Sequence, residues 1–286
     1  MEYVIIGNSV AGIAGAEGIR KQDKQGNITI ISDEPYNSYS RPLISYYLAD
    51  EVDLKKMQYR SQDFYLQNNI NCILAKKVKG INCSNNELNL EDSNKINYDK
   101  LLIATGGKPI IPPIKGSRKN NIYTFLKLND AKRISKQINS VKSNKVVILG
   151  AGLIGLKVAE ALVKKGLEVY VVELAARVLS SILDERSAEI VKDHLQRKGI
   201  KFCLQDTITE FIGKENIKGV KLKSGVKINC DLGIIAIGVS PNISSVKGTP
   251  IKTNKGILAD EHRQKLYGEV AYVCNRCSGD LLQRFK

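Results

Sequence analysis

Two stretches of the chain carry glycines at a spacing suited to holding phosphate. The clearer one reads Gly150-Ala151-Gly152-Leu153-Ile154-Gly155 and follows the apolar run 145–149. Here Gly150 makes a tight turn, Gly152 lets the backbone approach a pyrophosphate, and Gly155 lets the following helix pack close to the strand. The helix start, at Leu153 and Ile154, offers unpaired N–H groups and a partial positive charge to an anion. Glu173 lies 18 residues beyond Gly155. It is placed to accept both hydroxyls of a ribose and to repel a 2′-phosphate, which favours NADH over NADPH. Arg177, four residues on, softens that preference.

The other stretch is Gly7-Asn8-Ser9-Val10-Ala11-Gly12, after the apolar run 2–6. Ser9 stands where the second turn has its middle glycine, so a side chain enters the space a pyrophosphate would take, with its hydroxyl able to face a phosphate oxygen. Asp33 and Glu34 are both candidates for the ribose contact. A strand end near Ser32 favours Asp33.

Each turn needs a strand before it and a helix after it, and the sequence supplies both twice. The first copy runs from the strand at 2–6 through a helix to about 21, a strand at 28–31, short alternating stretches at 70–77, 79–83 and 86–91 that suggest an antiparallel meander, and an apolar strand ending at Ala104-Thr105-Gly106. The second copy repeats the order. Its helix runs to about 165, its second strand over 168–172, its meander over 201–205, 207–211 and 217–222, and its last strand ends at Gly238. A further helix over 184–198 carries Ala188, Val191 and Leu195 on one face, with Gly199 as its stop. The pattern predicts an α/β protein of two Rossmann-like dinucleotide-binding domains in three ββα layers, one inserted in the other. The expected divisions are 1–112, 113–238 and a return segment 239–286.

Composition narrows the function classes. The 286 residues are 43% hydrophobic and 26% charged, globular proportions. No apolar run approaches the roughly 20 residues of a membrane span, and the N-terminus has no signal-peptide pattern. The six Cys are scattered, which implies reduced thiols and a cytoplasmic protein. With 44 Lys plus Arg against 29 Asp plus Glu, the net charge is +15. This suits a solvated lysine-rich surface or an acidic protein partner. The spread of basic residues, without a recognition helix or zinc finger, argues against nucleic acid.

With these motifs in place, the chain resembles the two-dinucleotide-binding-domain flavoprotein family that includes the pyridine nucleotide–disulfide oxidoreductases. Its nearest look is to NADH-dependent rubredoxin and ferredoxin reductases and to the flavin module of nitrite reductase large subunits. The segments carrying the resemblance are 3–12, 30–48, 98–116, 146–173 and 235–242. The resemblance implies FAD in the first copy and NADH in the second. It places Arg41 and Pro42 near pyrophosphate and isoalloxazine, Ala104, Thr105 and Gly106 where the chain leaves the flavin domain, and Gly238 near bound NADH. It implies electron transfer from NADH through flavin to an outside acceptor, a rubredoxin- or ferredoxin-like carrier or a small molecule.

Three departures qualify it. Residues 39–45 contain no Cys, so disulfide chemistry at this position has no nucleophile. Lys157 stands where many members have Glu; a cation there either favours reduced, anionic flavin or is a solvated helix lysine. After about Asp260 the family pattern fails, and Gly279-Asp280 comes late for the motif that meets the ribityl chain. That tail reads as a frameshifted or truncated end of a longer product, and the alternative function is a remnant that binds NADH but retains FAD poorly. Cys274 and Cys277 form a lone pair, short of the about four ligands zinc takes, and no metal site is expected. His194, beside Leu195, reads as a solvated or packed helix residue.

Overall fold

A computed structural model describes residues 1–141 and 144–259 and the strand at 271–273. His262, Cys274, Cys277, Gly279 and Asp280 lie outside the described residues. The first half contains β1 (Glu2–Ile6), α1 (Val10–Gln22), β2 (Asn27–Ile31), α2 (Ile44–Leu48), α3 (Phe64–Gln67), β3 (Ile70–Ile73), β4 (Val78–Asn82), β5 (Glu87–Leu90), β6 (Lys95–Asn97), β7 (Lys100–Ile103), β8 (Gly107–Pro109), β9 (Ile122–Thr124) and α4 (Leu128–Val141). The second contains β10 (Lys145–Leu149), α5 (Leu153–Lys164), β11 (Glu168–Glu173), α6 (Glu185–Arg197), β12 (Ile200–Leu204), β13 (Ile208–Ile212), β14 (Gly219–Leu222), β15 (Lys227–Asn229), β16 (Leu232–Ile235), β17 (Val239–Pro241) and β18 (Ala271–Val273).

The chain divides into two compact units. One comprises 1–40, 58–108 and 240–286, and the other 41–57 and 109–239. The unit boundaries fall at 40/41, 57/58, 108/109 and 239/240, so that the segment 41–57 belongs to the second unit.

In the first unit a five-stranded sheet has the order β18-β7-β1-β2-β3 and is parallel throughout. Strands buried on both faces read as continuous apolar runs, and Val4, Ile5 and Ile6 of β1 are all buried. Val4 and Ile6 pack with Leu88 and Leu90 of the β4-β5-β6 meander on one face. Ile5 packs with Ile13 and Ala16 of α1 on the other. That is the ββα layering.

The second unit repeats it with the order β12-β11-β10-β16-β9. Val147 and Leu149 pack with Phe211 and Val220 of the β13-β14-β15 meander. α6 starts at Asp184, whose carboxylate accepts from Ser187 N at 2.8 Å, and ends before Gly199, which takes φ +98°. Ala188 and Leu195 are buried, Val191 is half-buried and His194 is exposed.

Two strand assignments are corrected. Residues 70–73 and 200–204 are not the first strands of meanders but parallel edge strands of the main sheets, paired to β2 and β11. Each meander begins one strand later. Among the described residues no helix is long and apolar enough to cross a membrane.

Candidate functional site

Both glycine turns have one geometry. Gly7 N donates to Ile31 O and Gly150 N to Val172 O, both at 2.8 Å. Ala104 N donates to Ile6 O and Ala236 N to Leu149 O, again at 2.8 Å. Gly7 and Gly150 take φ +119° and +111°, which a side chain would strain. A Cβ at Gly12 would sit 1.8 Å from Gly7 O, and one at Gly155 would sit 2.1 Å from Gly150 O. These glycines let helix and turn touch.

The middle position is different. Gly152 has φ −76°, and a Cβ there would meet nothing within 4 Å. Ser9 has φ −119° and ψ −169°. Neither backbone needs glycine, so Ser9 is tolerated by the fold. The open space at Gly152 lies beside the first turn of α5, where helix N–H groups have no intrahelical partner. A phosphate fits such a place without displacing the protein.

The acids differ more. Glu173 closes β11. Its Oε2 accepts from Ala151 N at 2.7 Å and its Oε1 from Ala175 N at 2.9 Å. The carboxylate is thus fixed against the turn by two charge-assisted bonds, with lone pairs left over. Arg177 is occupied nearby, its Nε and Nη2 on the carbonyls of Leu183 (3.3 Å) and Ser180 (3.4 Å).

In the first unit the register puts Ser32, not an acid, at the equivalent of Glu173, because Ile31 and Val172 are the matching strand residues. Ser32 Oγ accepts from Glu34 N at 3.2 Å. Asp33 is exposed. Glu34 is buried, and its Oε2 accepts from Tyr39 Oη at 2.6 Å. The two candidate acids therefore occupy different surroundings, one at the surface and one tied into the loop that follows.

That loop is joined to the turn by residues the motif did not single out. Asn8 Oδ1 accepts from Tyr65 Oη at 2.9 Å, and Asn8 Nδ2 donates to Tyr36 O at 3.3 Å. Tyr65 Oη accepts in turn from Ser38 N at 2.9 Å. Burial raises the Tyr65 phenol, opposed by its bonds with Ser38 N and the Asn8 amide. Ser38 Oγ is buried with no hydrogen-bond partner. Asn8 lies inside the motif, but 57 residues separate it from Tyr65, and no local pattern announces that pairing.

The remaining candidates fall as follows. Thr105 Oγ1 donates to Asn242 O at 2.7 Å, and Asn242 N donates to Gly106 O at 2.9 Å. Gly238 takes φ +115°, and its carbonyl accepts from Ile110 N at 3.1 Å. Strands β8 and β17, where the chain leaves and re-enters, pair with each other. Arg41 and Pro42 form a 3-10 turn in the second unit, with Arg41 Nη1 on Leu126 O at 3.1 Å. Lys157 Nζ is 3.0 Å from Glu160 Oε2 and 5.7 Å from the Tyr46 ring centroid. The Glu160 hydrogen bond raises the Lys157 ammonium against an opposing burial effect. Cys72, Cys83, Cys203 and Cys230 are all free thiols. Burial pushes Cys72 up to about 11 and Cys230 up to about 12. Among the described residues no cluster could hold a metal.

Two Rossmann-like units, each with a strand, a glycine turn and a helix, define a protein built to hold two dinucleotides. Residues 1–271 match the family described as pyridine nucleotide-disulphide oxidoreductase, and the chain belongs to that family. It is 34% identical to an NADH oxidase of Methanocaldococcus jannaschii, over 96% of this chain and 62% of the relative. It is 30% identical to a rubredoxin-NAD(+) reductase of Pseudomonas putida, over 91% of this chain and 68% of the relative. Among solved structures, the covalent putidaredoxin reductase–putidaredoxin complex superposes with a TM-score of 0.88 at 27% identity, covering 96% of this chain and 67% of the other. The chain spans between about a third and two thirds of the length of the curated relatives first matched, 34% of one and 62% of another.

Proposed function

We propose that this chain is an NADH-dependent FAD flavoprotein that passes electrons to an external acceptor without a redox-active disulfide. The observation that carries the reading is the doubled glycine turn, with the same hydrogen bonds at Gly7 and Gly150. FAD and NADH, when bound, supply the hydride and electron chemistry, and the protein supplies binding and orientation.

In the second unit Gly150, Gly152, Gly155 and the N–H groups of Leu153 and Ile154 receive the pyrophosphate of NADH. Glu173, already fixed by Ala151 N and Ala175 N, accepts from the ribose hydroxyls and disfavours a 2′-phosphate. Gly238 lets the chain pass close to the nicotinamide half. In the first unit Gly7, Ser9 and Gly12 hold the FAD pyrophosphate, with Asp33 or Glu34 at the adenosine ribose. The stretch Ala104-Thr105-Gly106 completes that site within the first unit.

Two features support an outside acceptor. Residues 39–45 hold no Cys, and burial raises the thiols of Cys72, Cys203 and Cys230 away from nucleophilic thiolate. The net charge of +15 favours encounter with an acidic carrier protein. Such an arrangement has a parallel in the relatives named for rubredoxin and putidaredoxin.

The test is NADH oxidation with a small acidic iron–sulfur carrier and with a neutral quinone as acceptors. The carrier rate should fall about tenfold or more from low to high salt, as electrostatically steered encounters do, while the quinone rate holds. A carrier rate indifferent to salt, or no rate with either acceptor, would overturn the reading.

A further inference from the structure

The first turn lacks what fixes the second. Glu173 ties turn to strand end in the second unit, whereas Ser32 stands at that register in the first. A middle residue with a side chain, Ser9, adds bulk at the same turn. Something else must hold its backbone in place for a ligand, since a site about 1 Å out of position loses much of its value.

We infer that Asn8, held by Tyr65, is the positioning residue of the first glycine turn. Its amide uses both ends. Oδ1 accepts from Tyr65 Oη at 2.9 Å, and Nδ2 donates to Tyr36 O at 3.3 Å. The Tyr65 oxygen meanwhile accepts from Ser38 N at 2.9 Å. Three segments of one unit meet here: the turn, the loop carrying Tyr36 and Ser38, and α3. The Tyr65 ring is 9% exposed and packs edge-on against Phe64 with centroids 5.3 Å apart, so its hydroxyl is a rigid anchor. Tyr39, on the same loop, holds Glu34 through Oη. Separate bonds to one loop thereby fix the turn, through Asn8, and the candidate ribose acid, through Tyr39. Ser38 Oγ, buried without a partner on that loop, is the kind of group a bound ligand satisfies.

This inference rests on the reading of the first unit as the FAD site, and its test separates the two. FAD is titrated into apoprotein of the wild type, Tyr65→Phe, Asn8→Ala and the double variant. NADH affinity and the melting temperature of each apoprotein are measured alongside. Tyr65→Phe keeps the ring and its packing, and Asn8→Ala provides a second route should the first misfold. We expect each single variant to weaken FAD about tenfold, the size of the buried hydrogen bond between Asn8 and Tyr65 that both remove. The double variant should lose clearly less than the product of the two single losses, because that shared bond is broken only once. NADH affinity should stay within about twofold, since NADH is assigned to the other unit and shares none of these contacts. FAD affinity unchanged in the variants, additive losses, or equal losses at both sites would overturn the inference alone. A wild-type chain that takes up no FAD would overturn the reading of the site and this inference with it.

Discussion

The two units put the same backbone to different use. At the second turn the middle residue is glycine, Glu173 is the last residue of its strand, and its carboxylate grips the turn itself. At the first turn the middle residue is serine, the register position holds Ser32, and the turn's own Asn8 is tied to Tyr65 of α3. The contrast extends to the far end of the strands. Lys145 faces Glu168 across β10 and β11, while Glu2 faces Asn27 at the matching place on β1 and β2. In the second sheet this pair belongs to an ion cluster with Lys201, and in the first Asn27 Nδ2 donates to Glu2 Oε1. Backbone geometry is thus the shared part of the repeat, and the side chains that secure it are particular to each copy.

The strongest way to break the comparison is at the glycines common to both. Gly12→Ala and Gly155→Ala each place a Cβ about 2 Å from a backbone oxygen. Each should cost about 3 kcal/mol, the upper range for overpacking, read by urea unfolding. A loss below about 1 kcal/mol at either would mean that helix and turn are not in the contact described.

Removing the acid peculiar to the second turn should come next. Glu173→Ala should raise the NADH dissociation constant about ten- to a hundredfold, matching the roughly 1.5–3 kcal/mol of hydrogen bonds to a charged group. It should also narrow the preference over NADPH, and leave FAD uptake alone. An unchanged NADH constant would leave Glu173 a purely structural residue.

Exchanging the middle residues sharpens the contrast further. Gly152→Ser should leave stability within about 0.5 kcal/mol, because the fold has room there. NADH binding should weaken several-fold, and Ser9→Gly should tighten FAD. Stability loss on Gly152→Ser with unaltered NADH binding would reverse the assignment of that space to the ligand.

The smallest effect concerns pH. Hydrogen bonds from Lys201 and Lys145 hold the Glu168 carboxyl down to about 2, from an ordinary 4.5. A lowered folded-state value means stability that is present above about 4.5 and lost as the pH falls towards 2. The carboxyl is only half-buried, so the contribution is small and screened by salt. Glu168→Gln should flatten the acid limb of the stability profile slightly. Identical acid limbs in wild type and Glu168→Gln would remove the ion cluster from the comparison.

Much of this was legible in the sequence because it is local. The turns, the strands before them, the helices after them and the α6 boundaries at Asp184 and Gly199 all follow from neighbouring residue types. Strand direction does not. Residues 70–73 and 200–204 carry the same alternation whether they open a meander or edge a parallel sheet, and only their partners β2 and β11 decide. The excursion 41–57 joins the second unit through long-range contacts such as Lys165 with Asp50, and no composition break marks it. Asn8 was visible inside a motif, but its partner Tyr65 was not, and the displacement of the first acid from Glu173's position appears only in the register.

The central claim is that both turns serve a dinucleotide in one protein. A visible absorption spectrum of the purified chain, taken before and after anaerobic NADH, tests it most directly. Flavin bands that bleach on addition of NADH are the expected result. A colourless protein that takes up no added FAD, or flavin bands that NADH leaves untouched, would contradict it.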